Sequence, residues 1–411
     1  MRRALLAETC AAMAAMLMAS VPPALCAPAD FTLQPYQMVR SLQLVQDRIA
    51  NGDSAAMPMQ RKLLEMIDAR LRQADIEEFG KERNFRALLM YAMSGGNPAT
   101  ATELLARVKA GPADKALASG VMAYVNGRPA DAIKALRDVN PLAEKPELGA
   151  FLALVKGSVL ALEDPAGALS CLDQARLLAP GTLVEEAALR RSLTLSAQTG
   201  DKARFLRISD QYIRRFLHSP YAGQFADSFV SGIVRLRPAI DLNVIAATVA
   251  DMDAEHRRFI YLRLARAATL AGQTDLAVFA SKRAEPSGDA HGVPPDPRAG
   301  LYASIASITS ANVGEVIRKL EAIDPQRLSD SDRQLRAAAL RIAREVTARP
   351  SLPDAQIDTP ETAADRNAAP PFGGNAEPKP DMAAVKATET LVSQTRQQLH
   401  AIDKLLQETS K

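Results

Sequence analysis

Tryptophan is absent from this sequence of 411 residues, and aromatic residues make up only 4% of it. A β-sandwich, a β-barrel or a platform that stacks single-stranded bases would need more of them. Histidine and cysteine are also scarce, with four and three residues, which disfavours an enzyme built around either side chain. The formal net charge of +3 is too small to make nucleic acid or a membrane surface the expected partner.

Alanine and leucine, in contrast, are abundant. Hydrophobic residues reach 47% of the chain, and both Ala and Leu are strong helix formers. The composition therefore predicts an all-α protein with closely packed helices and no binding of nucleic acid.

Residues 1–29 have the pattern of a secretory signal peptide. Arg2 and Arg3 give a positive start, residues 11–21 are almost entirely apolar, and two prolines then break the segment. The apolar stretch is shorter than the ~20 residues that a membrane-spanning helix needs. We therefore predict export to the periplasm and no stable membrane span once the signal is removed.

Cleavage is predicted after Ala27 or Ala29, where small residues alternate with proline. An uncleaved anchor and lipidation at Cys26 are the alternatives, although the residues before Cys26 form a poor lipidation motif. Processing at this site would leave Cys171 without a disulfide partner in the same chain. Cys171 is then expected to be a small buried helical residue.

A polar turn, an apolar segment of helical period and a proline recur through the middle of the chain. The turns lie at residues 126–129, 163–165, 199–201 and 271–273, and Asn312 opens a similar segment. Gly127 and Glu163 are 36 positions apart, Glu163 and Gly200 are 37 apart, and Gly200 and Gly272 are 72 apart. A period in the mid-thirties is typical of helix–turn–helix repeats. It also predicts a turn near residue 236, and a shorter unit turns at 95–98.

Two units resemble the second helix of a tetratricopeptide repeat, in which small, large and small residues precede a proline. In one unit these are Ala168, Leu172, Ala175 and Pro180, and one unit earlier the matching positions are Ala132, Leu136 and Val139. The other units are degenerate. We predict a tetratricopeptide-like helical-repeat array over residues 95–349, with Leu172 buried between the two helices of its unit.

A different helical segment is predicted over residues 30–94. Its first apolar residues recur at i, i+4, i+7 and i+11, on one helix face. They are Met38, Leu42, Val45 and Ile49, and a second stripe follows at Leu63, Ile67 and Leu71. Such stripes indicate core packing, and the alternative is an exposed groove for a partner.

The last 62 residues consist of two segments of different composition. Residues 350–381 are rich in proline and lack apolar periodicity, which predicts a disordered linker. Residues 382–411 then predict an amphipathic helix that could bind a partner protein through one apolar seam. The seam consists of Val385, Val392, Leu399, Ile402 and Leu406. Docking on a partner or on the array, self-association and a partly ordered tail are the alternatives.

Familiar motifs of chemistry are missing from the sequence. It contains no glycine-rich phosphate loop, no metal-ligand spacing and no nucleophile elbow. The four histidines lie far apart in the sequence and share no motif, and the abundant acids are expected to be solvated on exposed helix faces. No catalytic, metal-binding or cofactor-binding residue is predicted, and the chain is not predicted to be an enzyme.

Four arginines on one predicted helix form a candidate basic strip. They are Arg204, Arg207, Arg214 and Arg215. One interpretation is exposed charge paired with nearby acids at i,i+4 spacing. The other is contact with an acidic protein surface or a cell-wall polymer.

Two stretches carry a resemblance to a known family. Residues 35–49, PYQMVRSLQLVQDRI, and residues 52–57, GDSAAM, are similar to the periplasmic motility protein C (MotC) family of rhizobial flagellar motors. The order of signal, helical body, proline-rich segment and final helix is also similar. The resemblance implies a periplasmic protein that binds the extracytoplasmic part of stator motility protein B and is needed for flagellar rotation. The residues alone indicate an exported helical-repeat binding protein, so a general periplasmic scaffold and a cell-wall-acting enzyme are the alternatives.

Overall fold

The computed structural model describes residues 33–285, 296–308 and 312–347. Secondary structure in these ranges is helical without a strand, which confirms the predicted all-α class. The helices are α1 (Pro35–Ala50), α2 (Ala56–Arg72), α3 (Glu82–Met93), α4 (Pro98–Arg107), α5 (Pro112–Val125), α6 (Pro129–Leu136), α7 (Pro146–Leu160), α8 (Pro165–Leu178), α9 (Leu183–Thr199), α10 (Lys202–Phe216), α11 (Ala222–Leu236), α12 (Leu242–Val249), α13 (Ala254–Leu270), α14 (Thr274–Ala284), α15 (Pro297–Ala306), α16 (Val313–Glu321) and α17 (Asp330–Thr347). Short 3₁₀ helices cover Ile76–Gly80, Pro141–Ala143, Arg237–Ala239 and Pro325–Arg327.

Several predicted segments lie outside the described residues. They are the signal peptide at 1–29, the linker at 350–381 and the amphipathic helix at 382–411. Among the described helices, none is both long and apolar enough to cross a membrane.

Proline marks helix starts in this protein. Helices α1, α4, α5, α6, α7, α8 and α15 all have proline as their first residue. The first helical residue has no intrahelical partner for its N–H, and the fixed φ of proline suits the helix, so a proline costs little there. Pro129 and Pro165 begin the second helices of their units in this way, whereas the unit-ending Pro180 and Pro220 lie in turns before α9 and α11.

Left-handed glycines form the turns inside the predicted units. Gly127, Gly200 and Gly272 have φ values of +68°, +78° and +68°, a region that glycine enters without a steric penalty. The turn predicted near residue 236 is also present, because α11 ends at Leu236 and a 3₁₀ turn follows it. The sequence register therefore located the turns of the array.

Successive helices pair as hairpins that stack on one another. Helix α5 packs against α6, α7 against α8, α9 against α10 and α13 against α14. Helix α11 joins two of these pairs, because it contacts both α9 and α13. The arrangement is a helical repeat, and its assignment to the tetratricopeptide type stays a prediction.

Close packing within the hairpins depends on glycine in the first helix. A Cβ atom on Gly157 of α7 would lie 2.7 Å from Cγ of Leu172 on α8. One unit earlier, a Cβ on Gly120 of α5 would lie 2.4 Å from Cγ of Leu136 on α6. Leu172 is 1% exposed, which confirms its predicted place between the two helices of its unit.

Candidate partner-binding groove

Helix α1 lies against helices that are distant from it in the sequence. Its predicted apolar stripe, consisting of Met38, Leu42, Val45 and Ile49, is buried. Part of this stripe packs with α2 and α3, and the C-terminal end of α1 contacts α9. Tyr221, at the start of α11, packs on Val45 and Ile49. The stripe is therefore core, as one of the two interpretations predicted.

Polar contacts fix the end of α1 on the repeat array. The side chain of Asp47 accepts a hydrogen bond from the backbone N–H of Leu183 at 3.3 Å. The amide of Asn51 donates to the backbone carbonyl of Gly181 at 3.2 Å. Burial raises the pKa of Asp47, and the hydrogen bond from Leu183 opposes this effect only in part. The carboxylate is thus held in a place that disfavours its charge.

Asp47→Asn is expected to raise the free energy of unfolding at pH 7 by about 0.3–1 kcal/mol. The amide oxygen can still accept from Leu183, while a negative charge is removed from the last turn of a helix. Because the folded-state pKa is raised, wild-type stability falls as the pH rises through it. The gain should therefore vanish near about pH 3, where the carboxyl is protonated in both states. Urea unfolding of both proteins at the two pH values measures this.

Asp53→Asn is the matched control, because Asp53 forms an ion pair with Arg48 at 2.5 Å that the substitution would break. It should show no gain at pH 7. An equal gain in both variants would mean that overall charge, and not the setting of Asp47, determines the effect.

A groove runs along α1, between this helix and α3, α7, α8 and α9. We call it the α1 groove and define it by Arg40, Gln43, Leu44, Arg83, Glu147 and Phe151. It consists of two adjoining cavities of about 330 and 340 Å³, which share Arg40, Gln43 and Glu147. Its volume suits several side chains of a polypeptide segment.

One end of the α1 groove is apolar. Leu44, Phe151, Leu178 and Leu183 line this end. Leu44, a large apolar side chain on α1, is 58% exposed. A single exposed leucine is ordinary, but one that faces other apolar side chains across a cavity offers a place for further burial.

The other end of the α1 groove is basic. Arg83 lies over the ring of Tyr36 at 5.7 Å, and Arg40 lines both cavities. Two further cations there are neutralised, since Arg86 pairs with Glu144 at 2.7 Å and Lys145 with Glu82 at 3.4 Å. Within the described chain, no carboxylate lies within ion-pair distance of Arg40 or Arg83. These two guanidiniums are available to a partner.

The candidate basic strip is mostly neutralised within the fold. Its ion pairs are Arg204–Asp173 at 2.6 Å, Arg214–Asp210 at 3.0 Å and Arg215–Glu185 at 2.7 Å. Arg207 is exposed on the same helix. The arrangement fits the interpretation of paired charge, and the strip as a binding surface stays a prediction.

Two acids of α9 contradict the expectation that helix acids are solvated. Glu185 is 1% exposed and Glu186 is fully buried. One oxygen of Glu186 accepts hydrogen bonds from Tyr212 and Arg190, each at 2.7 Å, and Glu185 accepts from Arg215. Burial, followed by the charge of Glu186, raises the pKa of Tyr212 far above its ordinary value. These groups tie α9 to α10, and nothing in their sequence spacing distinguishes them from surface acids.

Two histidines lie together although they are distant in the sequence. The rings of His218 and His256 are 5.5 Å apart, and Nδ1 of His256 lies 2.6 Å from Asp253. Hydrogen bonds from the backbone and the ring of His256 hold the pKa of Asp253 below its usual value. No group of three potential ligands with metal-binding geometry occurs among the described residues. His291 and His400 lie outside them.

The seam residues of the predicted C-terminal helix are also outside the described residues. Val385, Val392, Leu399, Ile402 and Leu406 therefore keep their status as predicted binding residues. The α1 groove was not anticipated from the sequence, because its residues come from five separate helices.

Comparison with known proteins places this architecture in a family. The family described as "Chemotaxis protein MotC" matches residues 1–411 of the chain. A protein of Rhizobium meliloti (strain 1021) with the same description is 40% identical over 337 residues, which cover 82% of this chain and 77% of the relative. The chain therefore belongs to the MotC family of motility proteins.

Proposed function

We propose that this protein is a periplasmic accessory of the flagellar motor that binds the periplasmic part of stator motility protein B and is required for flagellar rotation. The observation that carries the proposal is the match of the whole chain to the MotC family. The secretory pattern of residues 1–29 supports a periplasmic location. Stacked hairpins support a binding role, because such arrays present extended surfaces to partners.

The proposed role is non-enzymatic. The relative of Rhizobium meliloti is described as a chemotaxis protein, and our assignment gives no residue a catalytic part and requires no cofactor or metal. The protein would act by binding and positioning, so its contribution would depend on surface contacts and on correct folding.

Deletion of the gene is expected to abolish swimming while filaments still assemble. Rotation fails in this proposal because the stator loses an accessory partner. Motility in soft agar and electron microscopy of filaments measure the two effects. The full chain supplied in trans should restore swimming, whereas a chain lacking residues 2–29 should not, because it would stay in the cytoplasm.

Direct binding gives an independent test. The chain from residue 30 onward should bind the purified periplasmic part of motility protein B in calorimetry. Normal swimming of the deletion strain would eliminate the motor role and leave the general scaffold. A swimming defect without binding would retain the motor role and eliminate this partner.

A further inference from the structure

We propose that the α1 groove binds an acidic amphipathic segment of a partner polypeptide, with apolar side chains beside Leu44 and carboxylates facing Arg40 and Arg83. The identification of that partner as motility protein B rests on the proposed function. The location and chemistry of the site rest on the structure alone.

The distribution of apolar and basic side chains along the groove indicates which residue types a bound segment should carry. Leu44, Phe151 and Leu183 line one end and can cover apolar side chains of a partner. Arg40 and Arg83 border the other cavity. A matching segment has apolar residues followed or preceded by acids.

Charge complementarity selects acids over bases at the second end. The structure pairs Arg86 and Lys145 with carboxylates of the same chain. Arg40 and Arg83 have no such partner among the described residues, although Glu147 lines both cavities and Asp47 lines the apolar end, where it accepts a hydrogen bond from Leu183. Guanidinium groups form two-pronged hydrogen bonds with carboxylates, which add orientation to the attraction.

The rigidity of the groove also favours binding. Helix α1 is held on the protein core by its buried apolar stripe. The hydrogen bonds of Asp47 and Asn51 fix its C-terminal end. A pre-formed site avoids the entropic cost of ordering its walls when a segment binds.

Photo-crosslinking in cells tests the location. A photoreactive amino acid replaces Leu44 in one strain and Leu177, which is 71% exposed on α8, in a control strain. We expect the crosslink at position 44 to be at least about tenfold stronger than at 177. Mass spectrometry should place it in a segment with apolar residues next to acids. Equal crosslinking at both positions, or a crosslinked segment without acids, would overturn the proposal.

Charge reversal tests the chemistry in vitro. Arg40→Glu and Arg83→Glu should each weaken binding of the periplasmic part of motility protein B by about tenfold or more, and added salt should reduce the difference. Arg341→Glu is the matched control, because Arg341 is an exposed arginine on α17 that lines neither cavity of the groove, and it should change the affinity by less than about twofold. Unchanged melting temperatures would show that all three variants fold.

The outcomes separate this inference from the proposed function. If the fragment binds the wild type and all three variants equally, the groove assignment fails and the stator partner stands. If position 44 crosslinks to an acidic segment of a different identified protein, the groove assignment stands and motility protein B is eliminated as its partner.

Discussion

Phe229→Ala is expected to lower the free energy of unfolding by about 3–5 kcal/mol, the usual cost of truncating a buried aromatic side chain. Phe229 is fully buried and lies between Phe205 and Phe225, with ring centroids at 5.9 and 5.7 Å. Phe225 in turn stacks on Tyr212 at 4.1 Å. The substitution would remove the central ring of a row that joins α10 to α11, and the closely packed neighbours could fill the cavity only in part.

The matched control is Phe259→Ala, because Phe259 is 43% exposed on α13. Its truncation should cost less than about 1 kcal/mol, since a partly exposed ring leaves no closed cavity. Urea unfolding followed by circular dichroism measures both variants. Similar losses in the two proteins would show that the aromatic row is not a main source of stability.

Leu172→Ala should cost about 2–5 kcal/mol. The side chain of Leu172 fills the space that the missing Cβ of Gly157 leaves between α7 and α8. Ala168 and Ala175 flank it at 0% exposure, so neither has a side chain long enough to move into the cavity. The expected loss is therefore in the upper half of the range for leucine.

Leu177→Ala controls for the change in composition, because Leu177 lies on the same helix and is 71% exposed. A change within about 0.5 kcal/mol is expected there, as for ordinary surface substitutions. The same urea titration applies. If Leu172→Ala were as mild as this control, α7 and α8 would not be held together by the contact described above.

The turns of the array were predictable from the sequence because they depend on local chemistry. Gly127, Gly200 and Gly272 adopt φ values that other residues avoid, and Pro129 and Pro165 begin helices directly after turns. Each of these effects acts within a few residues. A constant spacing of such signals then specifies the register of the whole array.

The place of α1 was not predictable in the same way. An apolar stripe shows that a helix face is buried, but it does not identify what covers it. The hydrogen bond between Leu183 and Asp47 joins residues that are 136 positions apart. The residues that line the α1 groove come from helices that are distant in the sequence, so they could not be selected from sequence spacing.

Buried charge was missed for a related reason. Glu185 and Glu186 are acids in the first turn of a helix, a place where acids commonly face water and favour the helix dipole. Their burial depends on Tyr212 and Arg215 from the next helix. Likewise, His218 and His256 meet because α10 ends where α13 begins in space, which the sequence does not reveal.

The contact of α1 with α9 also affects how the protein opens. In a simple stack each hairpin touches only its neighbours, so units can unfold one by one from an end. Here α1 bridges residues 47 and 183, and the hairpins between them lie inside a closed loop of chain. These hairpins cannot unfold one after another until α1 has detached from α9.

Helices α1 to α9 should therefore unfold as one cooperative unit. Their backbone amides should show similar protection from hydrogen exchange. Closing so long a loop before its contacts stabilise it also slows folding. In a protein proposed to act beside a rotating machine, the same bridge would make the first half of the array resist stretching, while α13 to α17 could yield hairpin by hairpin.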